Sequence, residues 1–119
     1  MNPKDELGRR GEDRAVLHLQ AADFRVVGRN WRCPVGEIDI VAYDGDCLVV
    51  VEVKTRSTEA YGHPFEAISP AKLRRLHLLA REWIARSGEP SPPSWRVDVV
   101  GVIWPSDGEA VVEHLREVA

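Results

Sequence analysis

Long hydrophobic runs are missing from this sequence. The longest, Cys47 to Val51, falls far short of the ~18 residues that a membrane span requires. No apolar stretch follows the charged opening Met1-Asn2-Pro3-Lys4-Asp5-Glu6, so a signal peptide is not expected. Two cysteines cannot build a multi-bridge scaffold, and a cytoplasmic protein with reduced thiols is the expectation. A surplus of positive charge is also lacking: 16 Lys+Arg against 19 Asp+Glu leave a net charge of −3. That argues against a nonspecific, charge-driven nucleic-acid coat protein. It leaves room for an enzyme that gathers carboxylates at a metal site and keeps its cations on a separate face. His18, His63, His77 and His114 are scattered without ligand spacing relative to Cys33 and Cys47, so zinc is not expected. Internal repeats and low-complexity tracts are absent.

What is present is the composition of an ordinary globular domain, 44% hydrophobic and 29% charged over 119 residues, which points to a single domain spanning 1–119. Residues 3–22 read as a helix. Ala15, Leu19 and Ala22 recur at helical steps, Gly8 and Gly11 fall on the same side and imply close packing, and Glu12 faces inward among Ala15, Val16 and Leu19. A strand begins at Phe24, with Gly28-Arg29-Asn30 bending or bulging it before Trp31. Two further strands, Gly36 to Tyr43 and Cys47 to Thr55, flank Asp44-Gly45-Asp46, a hairpin signal. The second is apolar on both faces, which predicts a sheet covered on both sides. A loop over 56–68 leads to Ser69-Pro70, an N-cap and first-turn proline for a helix reaching about Arg86. Strands over 95–104 and 109–114 follow. The order α-β-β-β-α-β-β predicts an α/β fold, a mixed sheet flanked by helices.

Strand alternation puts Glu37, Asp39 and Val41 on one face, and Val50, Glu52 and Lys54 on one face of the next strand. With a two-residue Asp44-Gly45 turn, Tyr43 pairs with Asp46, Asp39 faces Val50 and Glu37 faces Glu52. Asp39 and Glu52 are then diagonal neighbours roughly 7–8 Å apart, within joint reach of one ion. Such a cluster of like charges needs a neutralising partner, and oxygen-only ligands favour magnesium or manganese. Lys54 would project beside the attacking water or the phosphate. Taken alone, Glu52-Val53-Lys54 reads as a solvated same-face ion pair on an exposed sheet; the apolar strand, the acidic hairpin partner and the inward Glu12 turn the reading to the metal site.

The helix over 70–86 carries Lys72, Arg74, Arg75, Arg81 and Arg86 against Glu82, a local charge of +4 in a protein of net −3. This face is either simply solvated or a phosphate-contacting surface led by Lys72, Arg74 and Arg75, with Arg56 nearer the acids. Asp98, among valines, reads as a buried hydrogen-bonding group outside the site.

Gly11-Glu12, Gly36-Glu37-Ile38-Asp39 and Val51-Glu52-Val53-Lys54-Thr55-Arg56 together resemble the YraN-like family of small bacterial proteins. More broadly they resemble the PD-(D/E)xK nucleases, which include archaeal Holliday junction resolvases. The YraN-like match extends through Lys72 and Arg96-Val97-Asp98-Val99-Val100; Ile38 stands where the superfamily often has proline. The resemblance implies a restriction-endonuclease-like fold and magnesium-dependent phosphodiester hydrolysis. Asp39 and Glu52 would be metal ligands, Lys54 the catalytic lysine and Glu12 an auxiliary acid, with Glu37 beside them. A nuclease acting on branched or structured nucleic acid, DNA rather than RNA, is the first expectation, with a homodimer by analogy with junction resolvases. The alternative is a noncatalytic nucleic-acid-binding or partner-recruiting domain on the same fold.

Overall fold

The computed structural model describes residues 3–58, 60 and 62–118. Helix α1 (Pro3–Ala21) precedes strands β1 (Arg25–Cys33), β2 (Gly36–Asp44) and β3 (Cys47–Arg56). Helix α2 (Pro70–Arg86) then leads to β4 (Ser94–Ile103) and β5 (Val111–Leu115). The expected element order is therefore the observed one. The five strands form one sheet in sequence order, β1-β2-β3-β4-β5. Pairing is antiparallel except between β3 and β4, which run parallel. This mixed sheet flanked by two helices is consistent with the restriction-endonuclease-like fold. Among the described residues no helix is long and apolar enough to cross a membrane.

The apolar faces of β3 do what their pattern demands. Val49 and Val51 join Ala15 and Leu19 of α1, with Ile40, Val100 and Val102, in one core. Leu48 and Val50 join Leu76, Leu79, Ala80 and Trp83 of α2 in the other. Ser69 caps α2 by accepting from the Lys72 amide at 3.1 Å, and Pro70 occupies the first turn, where a missing N–H costs nothing. The expected structureless loop before α2 instead contains a 3₁₀ turn, Pro64–Ala67. Its Pro64 and Phe65 pack on Gly101, where a Cβ would stand only 3.1 Å from the Phe65 ring.

Two expectations about register and packing are corrected. The β2–β3 hairpin closes on Asp44↔Cys47, so its turn residues are Gly45 and Asp46 rather than Asp44 and Gly45. Gly45 adopts φ +59°, the first-position geometry that a type II′ turn assigns to glycine. Opposed residues are consequently Tyr43↔Leu48 and Ile40↔Val51. Of the two helix glycines only Gly11 is a packing glycine. A Cβ built there would overlap Thr55 Oγ1 and lie 2.6 Å from Thr55 Cγ2, whereas one at Gly8 would meet nothing within 4 Å. Gly11 thus lets α1 press onto β3 just where β3 leaves the core.

Candidate functional site

Regular pairing of β2 fails at Asp39 on both sides. Ile40 pairs with Val51 and with Arg29, and Ile38 with Trp31, but Asp39 has no strand partner in either ladder. On β1 the residue that would face it, Asn30, takes φ +52°, outside strand geometry. On β3 the Val53 amide turns to the Asp39 side chain, donating to Oδ2 at 2.8 Å. The break reverses the alternation of β2: Ile38 packs in the α2-side core while Ile40, two residues on, packs in the α1-side core. Asp39 and Val41 therefore do not share a face, contrary to the expectation from alternation. The twist instead releases the Asp39 carboxyl into an open cavity of about 600 Å³ beneath α1, lined also by Leu7, Gly8, Glu12, Lys54 and Thr55.

Glu52 comes to the same place from the other side. Its neighbours Leu48 and Val50 lie in the α2-side core, and it is 5% exposed. Where the ladder stops, its carboxyl meets that of Asp39. Burial first, then a hydrogen bond with the Glu52 carboxyl and the charge of that carboxyl, push Asp39 up to about 8. At neutral pH Asp39 therefore keeps its proton, the expected response of a carboxyl held beside another in a dry site. Lys72 Nζ stands 2.9 Å from Glu52 Oε2, off the alignment of a hydrogen bond, so this buried oxygen has an ion-pair neighbour and no hydrogen-bond donor.

Glu12 enters the cavity from α1, as the helical wheel predicts. It is tethered by Arg29 Nη2 at 3.4 Å, and Asn30 also reaches it. Burial raises its pKa despite Arg29, with the nearby Glu37 adding a smaller push in the same direction. Arg29 also binds Asp13, Nη2 to Oδ1, at 2.6 Å. Sequence reasoning missed Arg29 and Asn30 as supports: Gly28-Arg29-Asn30 signals a bulge, and the register does shift between Val26 and Gly28, but no local pattern shows which helix the bulge addresses.

The remaining expected residues separate. Glu37 does not face Glu52; it is opposed to Arg32 of β1, with a 3.4 Å ion pair. Lys54 lines the cavity and has no carboxylate partner among the described residues. Arg56, at the end of β3, is exposed at the rim of the same cavity. Lys72, expected beside Arg74 and Arg75 on a phosphate-facing surface, is turned onto Glu52, while Arg74 and Arg75 are exposed.

An oxygen-only cation site is chemically compatible with this arrangement. Among the described residues no three His, Cys, Asp or Glu side chains form a ready metal cage. Magnesium, however, is commonly held by one or two carboxylates and keeps several waters. Asp39 and Glu52 offer that pair, already forced together, with Lys72 beside Glu52 as a competing cation.

Asp98 is the buried group its surroundings suggest. It is fully buried and accepts from Arg96 Nε at 2.9 Å and the Glu117 amide at 2.9 Å, with His114 Nε2 at 2.8 Å. Burial alone would raise its pKa, but these partners hold it below the usual carboxylate value.

Comparison with known proteins locates the chain among small bacterial proteins. The model of the uncharacterised protein family UPF0102 matches residues 11–102, which contain Glu12, Asp39, Glu52 and Lys54. A UPF0102 protein of Arthrobacter sp. (strain FB24) is 58% identical over 118 residues, 99% of both chains. One from Streptomyces griseus subsp. griseus is 50% identical over 119 residues, 100% of both chains. One from Kineococcus radiotolerans is 50% identical over 116 residues, 98% of this chain and 95% of that relative.

Proposed function

Since this chain belongs to the uncharacterised protein family UPF0102, whose name states no activity, the site has to supply the functional reading, and we propose a metal-dependent endonuclease. It would hydrolyse phosphodiester bonds in branched or otherwise structured nucleic acid. The observation that carries this reading is the meeting of Asp39 and Glu52 at an interrupted ladder, beside a cavity that holds a third acid and a lysine with no carboxylate partner among the described residues.

Asp39 and Glu52 would hold Mg2+ or Mn2+; once bound, the cation would polarise the phosphate and make water more acidic. Asp39 would then give up its proton, while the Val53 amide keeps its carboxylate oriented. Lys54, with no carboxylate partner among the described residues, stabilises charge developing on the phosphate or orients the attacking water. Glu12, kept in place by Arg29, serves as an auxiliary acid, and Glu37 adds negative charge at its edge. Arg56 contacts the phosphate backbone at the cavity rim, and Arg74 and Arg75 take more distant phosphates. Lys72 counters Glu52 before the cation arrives. The same reading implies a cytoplasmic protein acting on DNA rather than RNA, with a homodimer where both strands are cut.

Incubation with junction, flap and single-stranded substrates in magnesium is expected to yield cleaved products that disappear in Glu52→Ala and Lys54→Ala. Equal products from wild type and Glu52→Ala would refute the assignment. A noncatalytic nucleic-acid-binding domain is the second reading, supported by the Lys72–Glu52 ion pair, which already neutralises one candidate ligand. It requires binding that survives both chelator and Asp39→Asn.

A further inference from the structure

The acid cavity does not end at Ser57. A second hollow, of about 360 Å³, shares Leu7 and Ser57 with it and continues over Arg10, Trp104, Pro105 and Ser106. Both lie over the carboxyl ends of β3 and β4, the one parallel pair in the sheet. At such ends, strands stop side by side and leave their following loops to form a crevice. The Trp104 amide donates to the Arg56 carbonyl at 2.8 Å, extending the β3–β4 ladder one residue and tying the second hollow to the rim of the first.

At its centre lies a layered pair: the Arg10 guanidinium sits over the Trp104 ring, 4.3 Å from its centroid. Trp104 is half-buried against the α1-side core, so its ring is anchored on one side and carries the cation on the other. Arg96 and Arg116 lie similarly over Phe24, but both are tied to aspartates. Arg10 is exposed and has no carboxylate partner among the described residues. Its donors have no hydrogen-bond partner among the described residues, and its outward plane can receive a flat ring. One turn further along α1, about 6 Å away, Arg14 continues the track beside Trp104, Gly108 and Glu109.

We propose that Arg10 and Trp104 form a binding subsite for an unpaired nucleic-acid strand, a base stacking on the guanidinium–indole pair while Arg10 and Arg14 meet the adjoining phosphates. An aromatic or guanidinium plane recognises the face of a base, which a duplex keeps covered by its neighbours. A single strand leaving the acid cavity would pass directly into this hollow. The inference rests on the nuclease reading for its choice of ligand, and it narrows the substrate to one with a splayed or single-stranded arm next to the cut.

Fluorescence anisotropy with short labelled single-stranded oligonucleotides, DNA and RNA in separate arms, tests the subsite at fixed salt in EDTA, where binding is measured without cleavage. In the arm that binds wild type more tightly, Arg10→Ala is expected to weaken binding about tenfold, within the range of one lost stacking contact. Trp104→Leu should do the same, and Trp104→Phe should retain most of the affinity. A blunt duplex should lose far less. Arg10→Ala within twofold of wild type, an equal loss on the duplex, or no single-strand binding by wild type would overturn the inference. Arg10 is a surface residue, so its variant decides the matter even if Trp104→Leu does not fold. A wild type that binds single strands through Arg10 but cleaves nothing in magnesium would remove the nuclease reading and leave the subsite standing.

Discussion

Replacing Gly11 with alanine sets two known effects against each other. In an exposed helix interior the change is favourable by about 0.8–1 kcal/mol, because glycine loses more backbone freedom on folding. At Gly11 the new methyl would lie 2.8 Å from Thr55 Cβ as well as overlapping the Oγ1 and crowding the Cγ2. A rotamer change can move Oγ1 and Cγ2, but Thr55 Cβ is fixed to the backbone of β3. Relaxed carbon contacts lie near 3.5–4.0 Å, so helix and strand must separate by roughly 0.7 Å or more. Overpacking of this kind costs about 1–3 kcal/mol and exceeds the propensity gain. The expected net loss is up to about 2 kcal/mol, a fall in Tm of up to roughly 8 °C for a chain of this size. Gly8 is the internal control, since a methyl there meets nothing within 4 Å. Gly8→Ala should raise Tm by a few degrees. Thermal and urea unfolding of both variants, with Thr55→Gly, which also removes the fixed Cβ, to complete a double-mutant cycle, measures the coupling directly. It should be at least about 1 kcal/mol for Gly11 with Thr55 and near zero for Gly8 with Thr55. If Gly11→Ala stabilises as much as Gly8→Ala, α1 does not press on β3 at Thr55, and the position assigned to Glu12 loses its support.

Three further outcomes follow from the buried carboxylates. Asp39 is raised to about 8 from an ordinary value of 3.8, so the folded protein holds a proton that the unfolded chain has released. Stability should therefore fall as pH rises from about 4 to about 8, by up to about 1.4 kcal/mol per pH unit from this group, and then level off. Subtracting the profile of Asp39→Asn from that of wild type isolates the effect; a difference that rises with pH would contradict the assignment. Magnesium or calcium binding should take up the same proton linkage, tightening up to about pH 8 and releasing close to one proton at pH 7, measurable by calorimetry in two buffers of different ionisation enthalpy. For Asp98→Ala, removal of the acceptor leaves His114 Nε2 and the Glu117 amide without this partner, while Arg96 keeps its ion pair with Asp44. The expected cost is about 1–3 kcal/mol by urea unfolding, and a loss below about 0.5 kcal/mol would mean that the network contributes little.

Much of this protein could be read locally. Two apolar faces on Cys47 to Val51 require cover on both sides, and the structure supplies α1 and α2. Ser69-Pro70 starts a helix wherever it leads, because the cap and the fixed φ act within one turn. The inward position of Glu12 follows from helical periodicity alone. These features depend on interactions a few residues apart, which is why they are legible in order along the chain.

The meeting of the acids was a different matter. Strict alternation placed Asp39 with Val41, and a turn one residue out of place set Glu37 against Glu52. The second failed because the hairpin turns at Gly45-Asp46; the first failed because Asn30, on a neighbouring strand, leaves strand geometry opposite Asp39 and the Val53 amide bonds a side chain instead of a carbonyl. Such events are decided by partners 9 to 14 residues away in the chain, where no periodicity reaches. Lys72 on Glu52, and Arg10 on Trp104, likewise depend on how helices settle against the sheet. Residue type and local pattern determined which side chains could carry chemistry; long-range packing decided which of them stand together.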